Sequence, residues 1–180
     1  MTISCLKNLS NSGGFVEDFD SRVTQLLEQL ADKLTARGWR MATAESCTGG
    51  WIAKCCTDLP GSSDWFDRGH IVYSYRAKED LLGVAHDDLL KYGAVSEEIA
   101  RQMAVGARQR SGVAVTVAAT GIAGPGGGME GKPVGLVHFG WCIDGQPVSC
   151  DAEVFSGDRN EVRQKTVLHA LEGILARLDA

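Results

Sequence analysis

Ser46-Cys47-Thr48-Gly49-Gly50 puts two hydroxyls, a thiol and two glycines directly after Trp39 to Glu45, a run that alternates weakly, like a strand. A tight turn from strand into helix bares a side chain and brings backbone N–H groups close to a ligand, where they stabilise a developing oxyanion. Donors around Cys47 to Gly49 would serve that purpose. Ser46 is then either a nucleophile or the cap of the helix read from Trp51 to Thr57. A serine attacks only when a base takes its proton. No histidine stands at an obvious spacing for this, but Tyr73 and Lys78 lie at the end of a second strand-like segment, His70 to Tyr75. A lysine of lowered pKa, or a tyrosine polarised by a lysine, can replace histidine. Without that role Tyr73 is a half-buried strand aromatic and Lys78 a solvated residue at a helix start. Cys47 is the better intrinsic nucleophile, yet in a tight turn its side chain points away from that of Ser46, into packing.

Two further loops mix hydroxyls with glycines. Thr120 to Lys132 holds six glycines and one proline, including Gly124-Pro125-Gly126-Gly127-Gly128. The run has neither Walker nor dinucleotide-fingerprint spacing, so it is a ligand-clasping loop or a mobile one. Thr120 either binds substrate or caps backbone. Ser156-Gly157-Asp158 precedes Arg159 and Arg163, two cations in the first turns of a helix, where the dipole disfavours them. A bound anion relieves that conflict, so Arg159 is either a phosphate ligand or an exposed, paired arginine.

The elements that position these loops follow from periodicity. After Asp18 and Asp20, which signal a helix start, Val23, Leu26, Leu27, Leu30 and Leu34 fall on one helical stripe that Gly38 ends. Ser96-Glu97-Glu98 opens a helix through about Arg110, and Val113 to Ala119 is a continuous apolar strand covered on both faces. Val134 to Ile143 and Val148 to Phe155 flank Asp144-Gly145-Gln146-Pro147 as an antiparallel hairpin. A last helix runs to Leu178 with Val167, Leu171, Ile174, Leu175 and Leu178 inward. Helices alternate with strands, so the predicted fold is α/β, a three-layer α/β/α sandwich on a mixed, mostly parallel sheet. Residues 1–15, rich in Ser, Asn and Gly, read as a flexible N-terminal extension, and 16–180 as a single domain.

Composition excludes several classes. The 180 residues carry 18 Lys and Arg against 23 Asp and Glu, a net charge of −5, which speaks against a broad nucleic-acid or anionic-membrane surface. No apolar run approaches the ~20 residues of a membrane span, and no signal-peptide core precedes the domain. Six cysteines without Cys-x-x-Cys, and four histidines without ligand spacing, predict reduced thiols in the cytoplasm and no metal.

Taken together, the blocks Ala44-Glu45-Ser46-Cys47-Thr48-Gly49-Gly50, Tyr73-Ser74 with Ala77-Lys78, Tyr92-Gly93-Ala94-Val95-Ser96, Thr120-Gly121-Ile122-Ala123-Gly124-Pro125, Lys132-Pro133-Val134-Gly135 and Phe155-Ser156-Gly157-Asp158-Arg159 closely resemble the CinA C-terminal domain family. The match runs from about Leu34 to about Leu171. Characterised members are nicotinamide-nucleotide amidohydrolases, so the resemblance implies hydrolysis of the carboxamide of nicotinamide mononucleotide, without metal or cofactor, by an oligomer of identical chains. It implies Ser46 as nucleophile, Tyr73 and Lys78 as its base, and Thr120 and Arg159 beside the substrate; the reading of the turn and the glycine loop adds Cys47, Thr48, Gly49, Gly121 and Gly124 around it. At Tyr75-Arg76 the chain departs from the Asn-Glu that members commonly carry, which places a cation beside the expected base. A nucleotide-binding or regulatory protein that kept the pocket without the chemistry is the alternative.

Overall fold

The computed structural model describes residues 13–180. The extension expected over residues 1–15 lies, for residues 1–12, outside them. Helix α1 (Gly13–Ala36) leads into β1 (Met41–Glu45), α2 (Trp51–Asp58), a 3-10 turn (Ser62–Asp64) and β2 (Phe66–Ile71). Three helices follow, α3 (Tyr75–Leu82), α4 (His86–Tyr92) and α5 (Glu97–Ser111), then β3 (Val115–Gly121), the hairpin β4 (Leu136–Ile143) and β5 (Ser149–Val154), and α6 (Arg159–Leu178).

The sheet order is β2-β1-β3-β4-β5. β1 pairs parallel with β2 and β3, while β3–β4 and β4–β5 are antiparallel, so four strands share one direction and β4 alone opposes them. Side chains alternate across β3: Val115, Val117 and Ala119 face a core shared with α1, α2 and α6, and Ala118 faces the α3–α5 core. The inward stripe of α1 is buried at Val23, Leu27, Leu30 and Leu34, with Leu26 half-buried, and all five inward positions expected of α6 are buried. This is the three-layer sandwich read from the sequence.

The second strand differs from its expected place. It ends at Ile71, four residues before Tyr75, because Val72 makes one last bond to the Glu45 carbonyl (2.8 Å) and Ser74 then caps a new helix, accepting from the Ala77 N–H at 3.1 Å. Tyr73 is therefore a loop residue and Lys78 stands in the first turn of α3. β2 is an edge strand of partly or fully exposed residues, half of them polar, which conceals it from a hydrophobicity reading. Gly69 is needed within it, since a Cβ there would lie 2.8 Å from that of Ala53 on α2.

Among the described residues no helix is long and apolar enough to cross a membrane, and no three His, Cys, Asp or Glu gather as a metal site. The five cysteines described are free thiols. Cys5 lies outside the described residues.

Candidate active site

The carboxyl ends of the parallel neighbours β1 and β3 lie side by side, and from them the chain continues toward β2 on one side and β4 on the other, a position at which α/β folds hold ligands. The strand alternation continues through this end. Glu45 points to the α2 face, Ser46 to the α3 face, and the Cys47 side chain returns to the core beneath α1, α2 and α6. Ser46 still belongs to the ladder through its own N–H, which donates to the Ala119 carbonyl at 3.0 Å.

Glu45 is fully buried, and its carboxylate accepts from the N–H groups of Gly50 (3.0 Å), Ile52 (3.0 Å) and Ala53 (2.8 Å) and from the Thr43 hydroxyl (3.0 Å). A carboxylate thus fills the N-terminus of α2 from below, satisfying donors that a helix start leaves open. The turn is anchored by that bond network, with Gly49 and Gly50 at φ 63° and 96°. Glu45 escaped the sequence reading as a site residue. An acid immediately before a hydroxyl-rich turn was the available signal.

Ser46 is 8% exposed and faces Lys78, whose Nζ is 3.1 Å from Ser46 Oγ. Lys78 has no exposed surface, and its amine also donates to the carbonyls of Val72 (2.6 Å) and Tyr73 (3.3 Å). No carboxylate bonds to it among the described residues. Burial, by stripping water from the ammonium, lowers its pKa from the usual 10.5 to about 8. A neutral amine here donates its two N–H bonds to the two carbonyls and turns its lone pair to the serine hydroxyl. The two residues form a hydroxyl–amine dyad.

Tyr73 does not complete that dyad through its phenol. The residue is 67% exposed, and its backbone carbonyl is the group that meets Lys78. Arg76 is 86% exposed on its side chain and pairs with Asp80, so the cation expected to disturb the base points into solvent. The Tyr75 hydroxyl accepts from the Ala94 N–H at 3.3 Å, and Thr120 Oγ1, buried at the end of β3, donates to the Ala94 carbonyl at 2.8 Å. Thr120 therefore ties the site to the loop before α5. Cys47 is buried, and desolvation raises its thiol to about 12, leaving almost no thiolate at neutral pH.

The N–H of Gly49 is spent on the Ser46 carbonyl at 3.2 Å, which removes it from the set of oxyanion donors expected from the sequence. Those of Cys47 and Thr48 have no acceptor among the described residues. Thr48 Oγ1 is likewise buried without a partner.

The third loop arrives on α6. Asp158 caps this helix in a capping box with Glu161, and Arg159 Nη1 donates to the Gly124 carbonyl at 2.8 Å. Ala123, Gly124, Pro125, Val134, Gly157, Asp158, Arg159 and Asn160 line a cavity of about 590 Å³, a size typical of small-molecule sites. Arg163, four residues on and so on the same face as Arg159, reaches the Cys47 carbonyl through Nε (3.2 Å) and the Thr48 carbonyl through Nη2 (2.7 Å). One helix face thus joins the glycine loop to the serine turn. A larger cavity of about 710 Å³, lined by Arg40, Asp67 and Arg108 among others, lies beyond the opposite ends of β1 and β3 and has no part in this arrangement.

Residues 23–178 match the family model described as CinA C-terminal domain. The nicotinamide-nucleotide amidohydrolase PncC of Escherichia coli (strain K12) is 46% identical over 153 residues, covering 85% of this chain and 93% of that protein. The protein of the same name from Pseudomonas putida is 44% identical, over 85% of this chain and 95% of its own. Among solved structures, a competence/damage inducible protein from Agrobacterium tumefaciens superposes with a TM-score of 0.83 at 41% identity, over 96% of this chain and all of its own. A competence damage-inducible protein from Klebsiella pneumoniae gives 0.84 at 36% identity, over 87% and 97%.

Proposed function

Because this chain belongs to the CinA C-terminal domain family, we propose that it hydrolyses the carboxamide of nicotinamide mononucleotide to nicotinic acid mononucleotide and ammonia. The observation that carries the reading is the contact between Lys78 Nζ and Ser46 Oγ, made in a buried site that holds the amine near pKa 8. Neutral Lys78 takes the Ser46 proton as Oγ attacks the carboxamide carbon. Negative charge then grows on the carboxamide oxygen, and the Cys47 and Thr48 N–H groups receive it. The resulting ammonium returns its proton to the leaving nitrogen, ammonia departs, and an ester remains on Ser46. Neutral again, Lys78 draws a proton from water, which attacks the ester, and the ammonium gives that proton to Ser46 Oγ as the acid leaves, restoring both residues.

In this scheme the base is Lys78 alone. Tyr73 lends its carbonyl to hold that amine, and its exposed ring stands at the rim, where substrate enters. The ribose phosphate belongs at Arg159 and the Gly121–Gly124 end of the glycine loop, one helical turn from the anchor of the serine turn. Gly49 shapes that turn, Thr48 offers its orphan hydroxyl to the substrate, and Thr120 holds the neighbouring loop in place. Binding energy gathered at the phosphate positions the amide, so free nicotinamide should lose in kcat as well as KM.

The test is ammonia release from nicotinamide mononucleotide by wild type and Ser46→Ala, with nucleotide binding followed by calorimetry. Release by wild type only, with binding retained in the variant, supports the proposal. A wild type that binds the nucleotide without releasing ammonia is a pyridine-nucleotide-binding protein, and the proposal fails.

A further inference from the structure

We infer that Arg163 is a positioning residue that sets the oxyanion donor of the serine turn; the inference rests on the amidase reading above. Its guanidinium spans two consecutive carbonyls of that turn, Cys47 O and Thr48 O, across 116 and 115 residues of sequence. It also lies over the Trp51 ring, 4.9 Å from the centroid, which fixes the plane of the fork. None of the ion pairs among the described residues involves Arg163. Its charge is spent on the backbone of the turn.

The consequence follows from peptide geometry. A trans peptide sets its C=O and N–H in opposite directions. Arg163 draws the Cys47 carbonyl toward α6, so the N–H of the same peptide, that of Thr48, is driven to the other side, away from α6. This is one of the two N–H groups of the turn without an acceptor among the described residues. The next peptide is fixed in the same manner: its carbonyl, Thr48 O, meets Arg163, and its N–H, that of Gly49, meets the Ser46 carbonyl. A rotated 47–48 peptide would aim a carbonyl where the oxyanion must form, and repel it. Glu45 holds the α2 end of the turn and Arg163 the α6 end, and only the second acts on the peptide that presents the donor.

Arg163→Ala and Arg163→Lys, assayed for kcat and KM on nicotinamide mononucleotide, test this. Loss of one oxyanion donor lowers kcat about 10²- to 10³-fold elsewhere, so Arg163→Ala should lose on the order of 100-fold in kcat with KM changed less than about threefold. Arg163→Lys keeps the charge without the fork and should fall between. Guanidinium or methylguanidinium, added at concentrations that leave wild type unaffected, should restore part of the kcat of Arg163→Ala. A purely structural role would not respond to that addition. The inference is overturned if either folded variant keeps kcat within twofold of wild type, if the loss falls on KM alone, which would make Arg163 a substrate ligand, or if guanidinium fails to rescue. Failure of the amidase reading is distinct, because there wild type itself releases no ammonia.

Discussion

Raising the pH from 7 to 9 changes the state of one buried amine, and the rate should follow it. With the Lys78 pKa near 8, about 9% of the amine is neutral at pH 7 and about 91% at pH 9, so kcat/KM should rise roughly tenfold and then level. Below pH 7 it should fall tenfold per pH unit. Lys78→Arg retains a cation that does not deprotonate in this range, so activity should drop by about 10²- to 10⁴-fold and the pH dependence should vanish. Stability carries the same signature with a definite sign. The folded-state pKa is depressed, so below pH 8 the amine is protonated both folded and unfolded, and its burial penalty is fully present. Between pH 8 and 10.5 the unfolded chain holds a proton that the folded chain has released, so stability rises with pH across that window, by up to about 3 kcal/mol. Lys78→Met lacks this dependence. Urea denaturation at pH 7.5 and 10 should show wild type gaining on the variant. A rate that is flat from pH 6.5 to 9, or an active Lys78→Arg, would refute the assignment of Lys78 as base.

Removing the carboxylate in Glu45→Ala leaves three backbone N–H groups at the start of α2 without their acceptor, which should destabilise by about 3 kcal/mol or more. That corresponds to a fall in Tm of roughly 6–12 °C by calorimetry, with a smaller fall for Glu45→Gln, which keeps one accepting oxygen. Gly106→Ala would place a methyl 2.1 Å from the Leu82 carbonyl on α3, one turn beyond Lys78. The overpacking should reduce stability by about 1–3 kcal/mol, and the displaced helix should lower kcat more than KM.

Several of these features were legible in the sequence because local chemistry and tertiary structure agree. The apolar Val113–Ala119 run, the Ser96 cap and the inward stripe of α6 each state their role locally, and the structure keeps them, with the strand moved two residues on to Val115–Gly121. Ser46 announced itself by following a strand and preceding two glycines. The region from Phe66 to Tyr92 was less legible. Its edge strand is half polar, and α3 and α4 are short helices of eight and seven residues, the first started by the Ser74 cap and both packed on α5. The expected Tyr73–Lys78 couple placed both residues at the end of one strand-like segment. Splitting them between a loop and a helix brings the amine to Ser46 and leaves the phenol at the surface. Glu45 and Arg163 were hidden for a different reason. Glu45 spends its charge on the amides of α2, and Arg163 spends its own on carbonyls more than a hundred residues away. Periodicity carries no trace of either bond. The sequence showed only that a cation at Arg163 opposes its helix dipole, and the structure supplies the carbonyls that relieve it.

The central claim is that the Ser46 oxygen becomes acylated. Rapid-quench mixing of wild type with nicotinamide mononucleotide, followed by peptide mass mapping and by hydroxylamine competition, examines that bond itself. The account predicts a transient nicotinate mononucleotide ester on Ser46, together with hydroxamate formed at the expense of the acid. Acylation at Cys47, or ammonia released with neither ester nor hydroxamate at any time, would contradict it.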